Sequence, residues 1–365
     1  KEWYTEGSRK PSKIAVGNMR EDAHRRDLTI NALYLDVSTM SVFDPTTKGY
    51  GDLKNHILSC PADAEKTFKD DPLRMLRVIR FKTKLGWDVD KNTWMGIIEN
   101  AHEIENVSKE RINDELTKIL LCDKPSEGIR ALLRCNLLGY VLPDIYNMVG
   151  ITQGFQHFGD VFEHTMKVLD NTKKDIVCRL GGLFHDVGKI MTRTENNGLI
   201  HFYSHESVGG RMVEIILKDL KYPNQIISNV ASIVRYHMSL CDLNDNQLPS
   251  DKRIRKFMNL TNSYMDSILD VIDADCHSFS EKFCKPNFVT NLRKRIAELK
   301  EKEKDYSKKL TLPINGSDIM KEFKIKPSPI IGKLLEKVKE AYLDNPIITK
   351  DECFELVEAE LKKAL

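Results

Sequence analysis

The 365-residue sequence predicts a mainly α fold with a small α/β portion at its start. Three observations carry that expectation. Strand-like alternation is confined to the first 60 residues, in "TINALYLDV" and in "SVFDPTTKGYGDL", a pair of short runs around a turn holding Pro45, Gly49 and Gly51. From Asp63 onward, apolar residues recur at helical spacing. Glycine- and proline-marked breaks at Pro143, "MVGITQGFQHFGD" and "TLPINGSD" then cut the helical remainder into blocks.

Length suffices for two or three domains, and a hydrophobic share of 41% with 30% charge describes an ordinary water-exposed chain. The net charge of +2 gives no global field for nucleic acid, so any basic face is local, at Arg74–Lys84 and Arg293–Lys309. Eight cysteines show neither CxxC nor a tight zinc spacing, as expected for buried reduced thiols in a cytoplasmic protein. No apolar run approaches the ~18 residues of a membrane span, and no membrane partner is expected.

Taken in order, "DPLRMLRVIRFKTKL" places Asp71 as an N-cap before Pro72 at the first helical position. Asp71, Arg74 and Arg77 step by three and share a face, with Arg80 turning slowly off it, while Leu73, Leu76 and Ile79 form the anchoring stripe. A carboxylate and a guanidinium on adjacent turns suit the Watson–Crick edge of a base, and the further arginines suit phosphate oxygens. "SKERINDELTKILL" follows, with Ser108 as cap and Ile112, Leu116 and Ile119 inward. Short helices run through "PSEGIRALLRCNLLGYVLP", and a second helical unit spans about Val161 to Phe283. The tail from Pro286 reads as a charged helix with a solvated face at "AELKEKEKDYSKK", a loop, and a helix pair.

The second helical unit carries the order His164, His185-Asp186, His205, His237, Asp275, with "HDVGK" at its centre. Imidazole and carboxylate together suit Mn, Fe, Ni, Co, Zn or Mg, and one aspartate can bridge two metals. His164, His185, Asp186 and Asp275 suffice for one ion; His205 and His237 argue for a second. Lys189, a turn after His185, stands to contact a phosphate oxygen. Asp273 rivals Asp275, whereas His24, His56, His102, His157, His201 and His277 read as ordinary surface or core histidines. This order resembles the HD phosphohydrolase superfamily, in which HDxGK is a common local form.

In the first 120 residues, "RRDLTINAL", "FDPTTKGYGDL", "DDPLRMLRVIRF" and "ERINDEL" follow one another within about 95 residues, after "GSRKP" at 7–11. Together they resemble the class II tRNA nucleotidyltransferase (CCA-adding) and bacterial poly(A) polymerase family. The resemblance implies that Arg26, Asp27 and Asn31 hold the ribose and triphosphate of an incoming nucleotide. By the same resemblance, Asp44, Gly51 and Asp52 form a hinge, and Asp71 and Arg74 pair with cytosine or adenine. Arg77 and Arg80 would support the nucleotide, and Arg111 with Glu115 would form a stiffening i, i+4 ion pair. Asp70 departs from the glutamate usual before the template aspartate.

The family also needs a Gly-Gly…Arg-Asp loop and an Asp-x-Asp pair for two Mg²⁺, and the first 60 residues hold no Asp-x-Asp. A truncated chain is therefore expected, with a split enzyme partnered by a separate N-terminal catalytic half, or a degenerate protein keeping only its HD chemistry, as the alternatives. The implied domains are a head remnant at 1–60, a helical nucleotide-selecting neck at 61–145, an all-α HD domain at 146–285 and a helical tail at 286–365. "GSDIMKEFKIKPSPIIGKLLEKV" at 316–338 resembles the segment after the HD core in the HD-bearing subgroup. The implied activity is addition of CMP or AMP, from CTP and ATP, to tRNA held by its acceptor arm. An HD activity on 2′,3′-cyclic phosphates, phosphomonoesters or cyclic nucleotides would accompany it. A stand-alone metal-dependent phosphohydrolase, a poly(A) polymerase and a non-catalytic RNA-binding module are the rival readings.

Overall fold

The computed structural model describes residues 2–4, 11–14, 17–154, 159–240, 248–279, 284–309, 312–344 and 348–364. Most of "GSRKP" and all of His157 lie outside them. The chain packs as two compact units, residues 1–246 with 261–289 and residues 247–260 with 290–365.

In the first unit the strands are shorter than the alternation predicts. Only Tyr34–Asp36 pairs with Ser41–Phe43, antiparallel, and Thr29–Asn31 is a 3₁₀ turn. Asp27 explains the difference: its carboxylate accepts from Leu28 N at 2.9 Å and Asn31 Nδ2 at 3.1 Å, a local alternative to strand pairing. "GYGDLKN" is likewise a helix, Gly49–Asn55, because Asp44 accepts from Tyr50 N at 3.0 Å and holds its first turn. Gly49 is required there, since a Cβ would stand 2.8 Å from the Thr29 carbonyl oxygen. Asp52 closes the same contact by accepting from Thr29 Oγ1 at 2.6 Å. A further antiparallel pair joins Glu2–Tyr4 to Pro11–Ile14.

The helices Ala64–Asp70, Leu73–Leu85, Lys91–Asn100, Lys109–Leu120 and Pro125–Arg134 follow, with one short parallel pair, Ile57–Leu58 and Asp88–Val89, among them. Pro72, not Asp71, is the N-cap of Leu73–Leu85; the Asp71 carboxylate still accepts from Leu73 N at 3.3 Å. Ser108 stands at the N-cap of Lys109–Leu120 without a side-chain capping bond. Leu73, Met75, Leu76, Val78 and Ile79 are buried along Leu73–Leu85, each worth roughly 1.5–3 kcal/mol of transfer free energy when fully buried.

Beyond the linker come Val161–Asn171, Ile176–Phe184, Lys189–Thr192, His205–Asp219, Asn224–Tyr236 and Met265–Cys276. This region departs from the all-α expectation at one hairpin, Arg193–Asn196 with Leu199–Phe202. One hydrophobic core runs from Leu28 through Phe68, Leu76, Leu116, Phe162 and Leu183 to Val234. Polar ties cross the same ground: Asn113 Nδ2 donates to Leu220 O at 2.9 Å, and Ser126 Oγ to Asp170 Oδ2 at 2.7 Å.

The second unit holds Asp251–Thr261 and Phe288–Lys309, joined by the Arg295 fork on both Asp251 oxygens at 2.8 and 2.6 Å. It then has three helices where the sequence suggested two: Gly316–Phe323, Pro329–Asp344 and Lys350–Ala364. The extra one starts inside the expected loop because Asn315 forms a capping box with Asp318. Ile314, Ile319, Leu334, Val338, Cys353 and Val357 make its separate core.

Candidate nucleotide cleft and metal centre

Segments distant in sequence meet around an open cleft of about 540 Å³ lined by Arg25, Arg26, Asp27, Asn31, Asp71, Leu73, Arg74, Arg77, Phe81 and Arg111. That volume suits a small-molecule ligand of nucleotide size. Five of the ten are arginines, so the cleft favours a polyanion.

Ion pairs fix the arginines before any ligand arrives. Arg77 Nε lies 2.7 Å from Asp27 Oδ2, and Asp27, being buried, is saturated by Arg77, Leu28 and Asn31. Arg80 Nε lies 2.8 Å from Glu115 Oε2, with Arg77 3.8 Å from the other oxygen. Arg74 donates to Thr67 O at 3.1 Å and to Arg25 O at 2.7 Å, so backbone carbonyls, not Asp70, orient it.

The expected Arg111–Glu115 pair does not form. Arg111 reaches Asp71 Oδ2 at 2.8 Å, while Glu115 turns inward to Arg80. A carboxylate only 2% exposed needs the closest buried counter-charge, which outweighs an i, i+4 surface pair worth a few tenths of a kcal/mol.

Sequence reasoning missed Asp22, Tyr34 and Phe81. Asp22 pairs with Arg25 at 2.6 Å and Arg26 at 2.9 Å and accepts the Tyr34 hydroxyl. Tyr34 first, then Arg26 and Arg25, hold the Asp22 carboxyl down at about 2 against the opposing effect of burial. The four-residue step from Asp22 to Arg26 was the available signal.

The metal-ligand expectation maps onto the meeting point of five helices. His164 projects from Val161–Asn171, His185 ends Ile176–Phe184, His205 opens His205–Asp219, His237 ends Asn224–Tyr236, and Asp275 lies in Met265–Cys276. Asp160 and Asp175 cap the first two of these helices through their side chains. The side chains form two triads, His164–His185–Asp275 and Asp186–His205–His237, all buried. Asp186 stands between them, with Oδ2 3.1 Å from His185 Nε2 and Oδ1 3.4 Å from His205 Nε2.

The histidine tautomers are set from behind. Nδ1 of His185, His205 and His237 lies 2.8, 2.9 and 2.8 Å from the carbonyl oxygens of Gly182, Phe202 and Val234. A carbonyl only accepts, so each Nδ1 carries a proton and Nε2 is the ring atom aimed inward, with a lone pair whenever the ring is neutral. Asp186, against burial, pushes His185 toward its charged form. Lone pairs gathered with two carboxylates fit a divalent cation rather than a hydrogen-bond network.

Charge follows the same plan. Burial alone would raise Asp186, but His185 and Lys189 hold it well below the usual carboxylate range. His164 does the same for Asp275 against burial. Burial, then His185 and His205, push His237 down to about 3, so its imidazole stays neutral. Lys189 Nζ lies 2.7 Å from Asp186 Oδ2 and 3.0 Å from Gln153 Oε1, a partner the sequence did not reveal.

Asp273 is partly exposed and sits 3.7 Å from His277, outside both triads. His24, His56, His102, His201 and His277 are also outside them. The seven cysteines among the described residues are free thiols, six of them buried.

Comparison with known proteins gives matches along most of the chain. The chain matches, in order, the poly A polymerase head domain over residues 1–59 and the probable RNA- and SrmB-binding site of polymerase A over 86–148. It then matches the HD domain over 154–262 and a putative tRNA nucleotidyltransferase domain 2 over 277–357. An A-adding tRNA nucleotidyltransferase of Deinococcus radiodurans is 29% identical, over 89% of this chain and 75% of that protein. A CC-adding tRNA nucleotidyltransferase of Thermus thermophilus is 27% identical, over 92% and 76%. Among solved structures, the CCA-adding enzyme of Bacillus stearothermophilus in complex with CTP superimposes with a TM-score of 0.62 at 19% identity, covering 96% of this chain and 76% of that one. At that identity the likeness is one of fold.

The head, RNA-binding and HD segments in this order define a nucleotidyltransferase-type enzyme with a helical HD domain whose buried histidines and aspartates could hold a metal ion. The chain belongs to the tRNA nucleotidyltransferase and poly(A) polymerase family, with an HD domain. No helix among the described residues is long and apolar enough to cross a membrane.

Proposed function

We propose that this chain selects CTP and ATP for addition to tRNA 3′ ends, and that its HD centre hydrolyses phosphoesters, 2′,3′-cyclic phosphates among them. Convergence of the "RRD", "DPLR" and "ERINDEL" segments on one arginine-lined cleft carries the first part. Asp71, steadied by Arg111, and Arg74, steadied by two carbonyls, offer acceptor and donors to a base edge. Arg26 and Asn31 face the sugar and phosphates, with Arg77 and Arg80 behind. Asp27, saturated where it lies, braces Arg77 and Asn31 instead of touching the nucleotide. Residues 1–60 act as head, 61–145 as neck, 146–285 as HD domain and 286–365 as tail. The tRNA acceptor arm is held by phosphate contacts, in the cytoplasm. Mg²⁺ serves nucleotidyl transfer, through carboxylates other than those lining this cleft.

In the HD centre His164, His185 and Asp275 would hold one divalent ion and Asp186, His205 and His237 a second, with Asp186 offering one oxygen to each. Bound there, such ions would supply Lewis acidity to a phosphoryl oxygen and to water. Lys189, kept in place by Gln153, presents its ammonium to a phosphate oxygen at the same edge. The inward-facing Nε2 set supports this reading most directly.

Both parts are testable on the chain itself. With Mn²⁺ or Ni²⁺ supplied, 2′,3′-cAMP should be hydrolysed and His185→Ala should abolish it; hydrolysis surviving that change sinks the HD reading. In titration calorimetry CTP and ATP should bind more tightly than UTP and GTP, and Asp71→Ala should level the four. Equal binding by the unaltered chain would remove nucleotide selection.

A further inference from the structure

In the chain, between Asp186 and His205, runs the hairpin Arg193–Asn196 with Leu199–Phe202, whose register sets Arg193 opposite Phe202. Cross-strand partners project from one face of a sheet. On that face Phe202 stands beside Lys189, at the edge of the metal centre. The Phe202 ring centroid is 5.2 Å from Lys189 Nζ, which is itself 2.7 Å from Asp186 Oδ2. The Phe202 carbonyl accepts from His205 Nδ1 at 2.9 Å. Arg193 reaches Thr152 Oγ1 at 3.5 Å, next to the Gln153 that holds Lys189. The ring is half-buried. The guanidinium's ion partner is Glu195, two residues on and half-exposed, a pair that solvent weakens and a phosphate can replace.

A small phosphomonoester would need only the metal ligands and Lys189. An aromatic face and a second cation beside them match a base and a second phosphate.

We infer that Phe202 and Arg193 form the recognition wall of the HD centre and direct it to RNA 3′ ends. The terminal base stacks on Phe202, and the phosphodiester preceding the terminal nucleotide meets Arg193. The inference rests on the phosphohydrolase reading of this centre. The reaction is hydrolysis of a terminal 2′,3′-cyclic phosphate. Water gives hydroxide to phosphorus, one phosphorus–ribose oxygen bond breaks, and that ribose oxygen takes the remaining proton, leaving a terminal monophosphate.

Three probes separate the contributions: glycerol 1,2-cyclic phosphate, with no base; 2′,3′-cAMP, with a base but no second phosphate; and the diadenylate ending in a 2′,3′-cyclic phosphate, with both. Phe202→Ala should lower kcat/KM about tenfold for the two adenine probes and leave the glycerol probe unchanged, the scale of one base–aromatic stack. Phe202→Tyr should restore it. Arg193→Gln should lower only the diadenylate, also about tenfold, and Glu195→Gln should raise it. Binding of 3′-AMP measured by calorimetry should weaken in Phe202→Ala in step with the kinetics.

Metal content is measured for every variant; should Phe202→Ala lose metal, Phe202→Leu, which keeps the packing without the ring face, carries the comparison. An unaltered chain inactive on all three probes defeats the phosphohydrolase reading. Activity on all three that the variants lower equally, or leave unchanged, defeats the wall.

Discussion

Glu115 shows how one buried carboxylate organises the cleft. It faces Arg80 at 2.8 Å, Lys118 at 3.3 Å and Arg77 at 3.8 Å while almost wholly out of water. Glu115→Ala leaves the largely buried Arg80 without its counter-charge, and removal of one partner from such a pair costs about 3–5 kcal/mol. Urea unfolding should show that loss, with Glu115→Gln losing less; a cost under about 1 kcal/mol would mean the pair is solvated. Asp22 yields a pH prediction. Its folded pKa, about 2, lies below the ordinary 3.8, so its contribution is complete above about pH 4 and is lost as pH falls toward 2. Asp22→Asn should therefore flatten the acid limb of a stability–pH curve, and an unchanged limb would refute the assignment. At this scale the sequence was partly legible. Steps of three marked Asp71, Arg74 and Arg77 as one face, but Arg111 and Glu115 satisfy an i, i+4 pattern equally well whether or not they pair. Burial decided, and burial is set by other helices.

Among the elements, Lys189–Thr192 and His205–Asp219 meet backbone to backbone at Gly188. A Cβ on Gly188 would lie 2.0 Å from the His205 carbonyl oxygen and 2.7 Å from Gly209 N, both backbone. Gly188→Ala must therefore displace the first turn that carries His205. We expect at least a tenfold loss of Mn²⁺ affinity, the scale seen when ligand-positioning groups are altered. Gly209→Ala, which meets the Val234 side chain at 3.0 Å and Gly188 N at 3.1 Å, should lose less. Equal and unchanged metal binding by both, measured by equilibrium dialysis, would show that the helices part freely. The "HDVGK" spacing marked this cluster in the sequence because residue identity and order survive without coordinates. The hairpin beside it was missed although Asn197 and Gly198, both at positive φ, are a recognised turn signal. The reverse error came at "TINALYLDV", where alternation was real but Asp27 gave the backbone a tighter alternative.

At the scale of the whole molecule, the glycine-marked linker near 147–159 was legible as a break in the chain, but nothing in it tells that apolar packing continues across the break. Phe162, Met166 and Leu169 join the same core as Leu116 and Ile129 because complementary faces, which periodicity gives only one at a time, happen to meet. The helix Asp251–Thr261 belongs with the tail for the same kind of reason, the Arg295–Asp251 fork. We expect the shared core to couple the two sites. A divalent ion at 100 times its Kd stabilises the state that binds it by about 2.7 kcal/mol. If neck and HD helices open together, that gain must reach amides far from the metal. Hydrogen exchange with and without Mn²⁺ should then slow in Leu73–Leu85 and Lys109–Leu120 as well as in Val161–Asn171 and Ile176–Phe184, and His185→Ala should remove both effects. Asn113 and Ser126, whose side chains bond Leu220 and Asp170, are the places to weaken that coupling without touching a ligand. Slowing confined to residues 161–277 would mean instead that the neck opens on its own, and that metal occupancy in the HD centre leaves the nucleotide cleft unaffected.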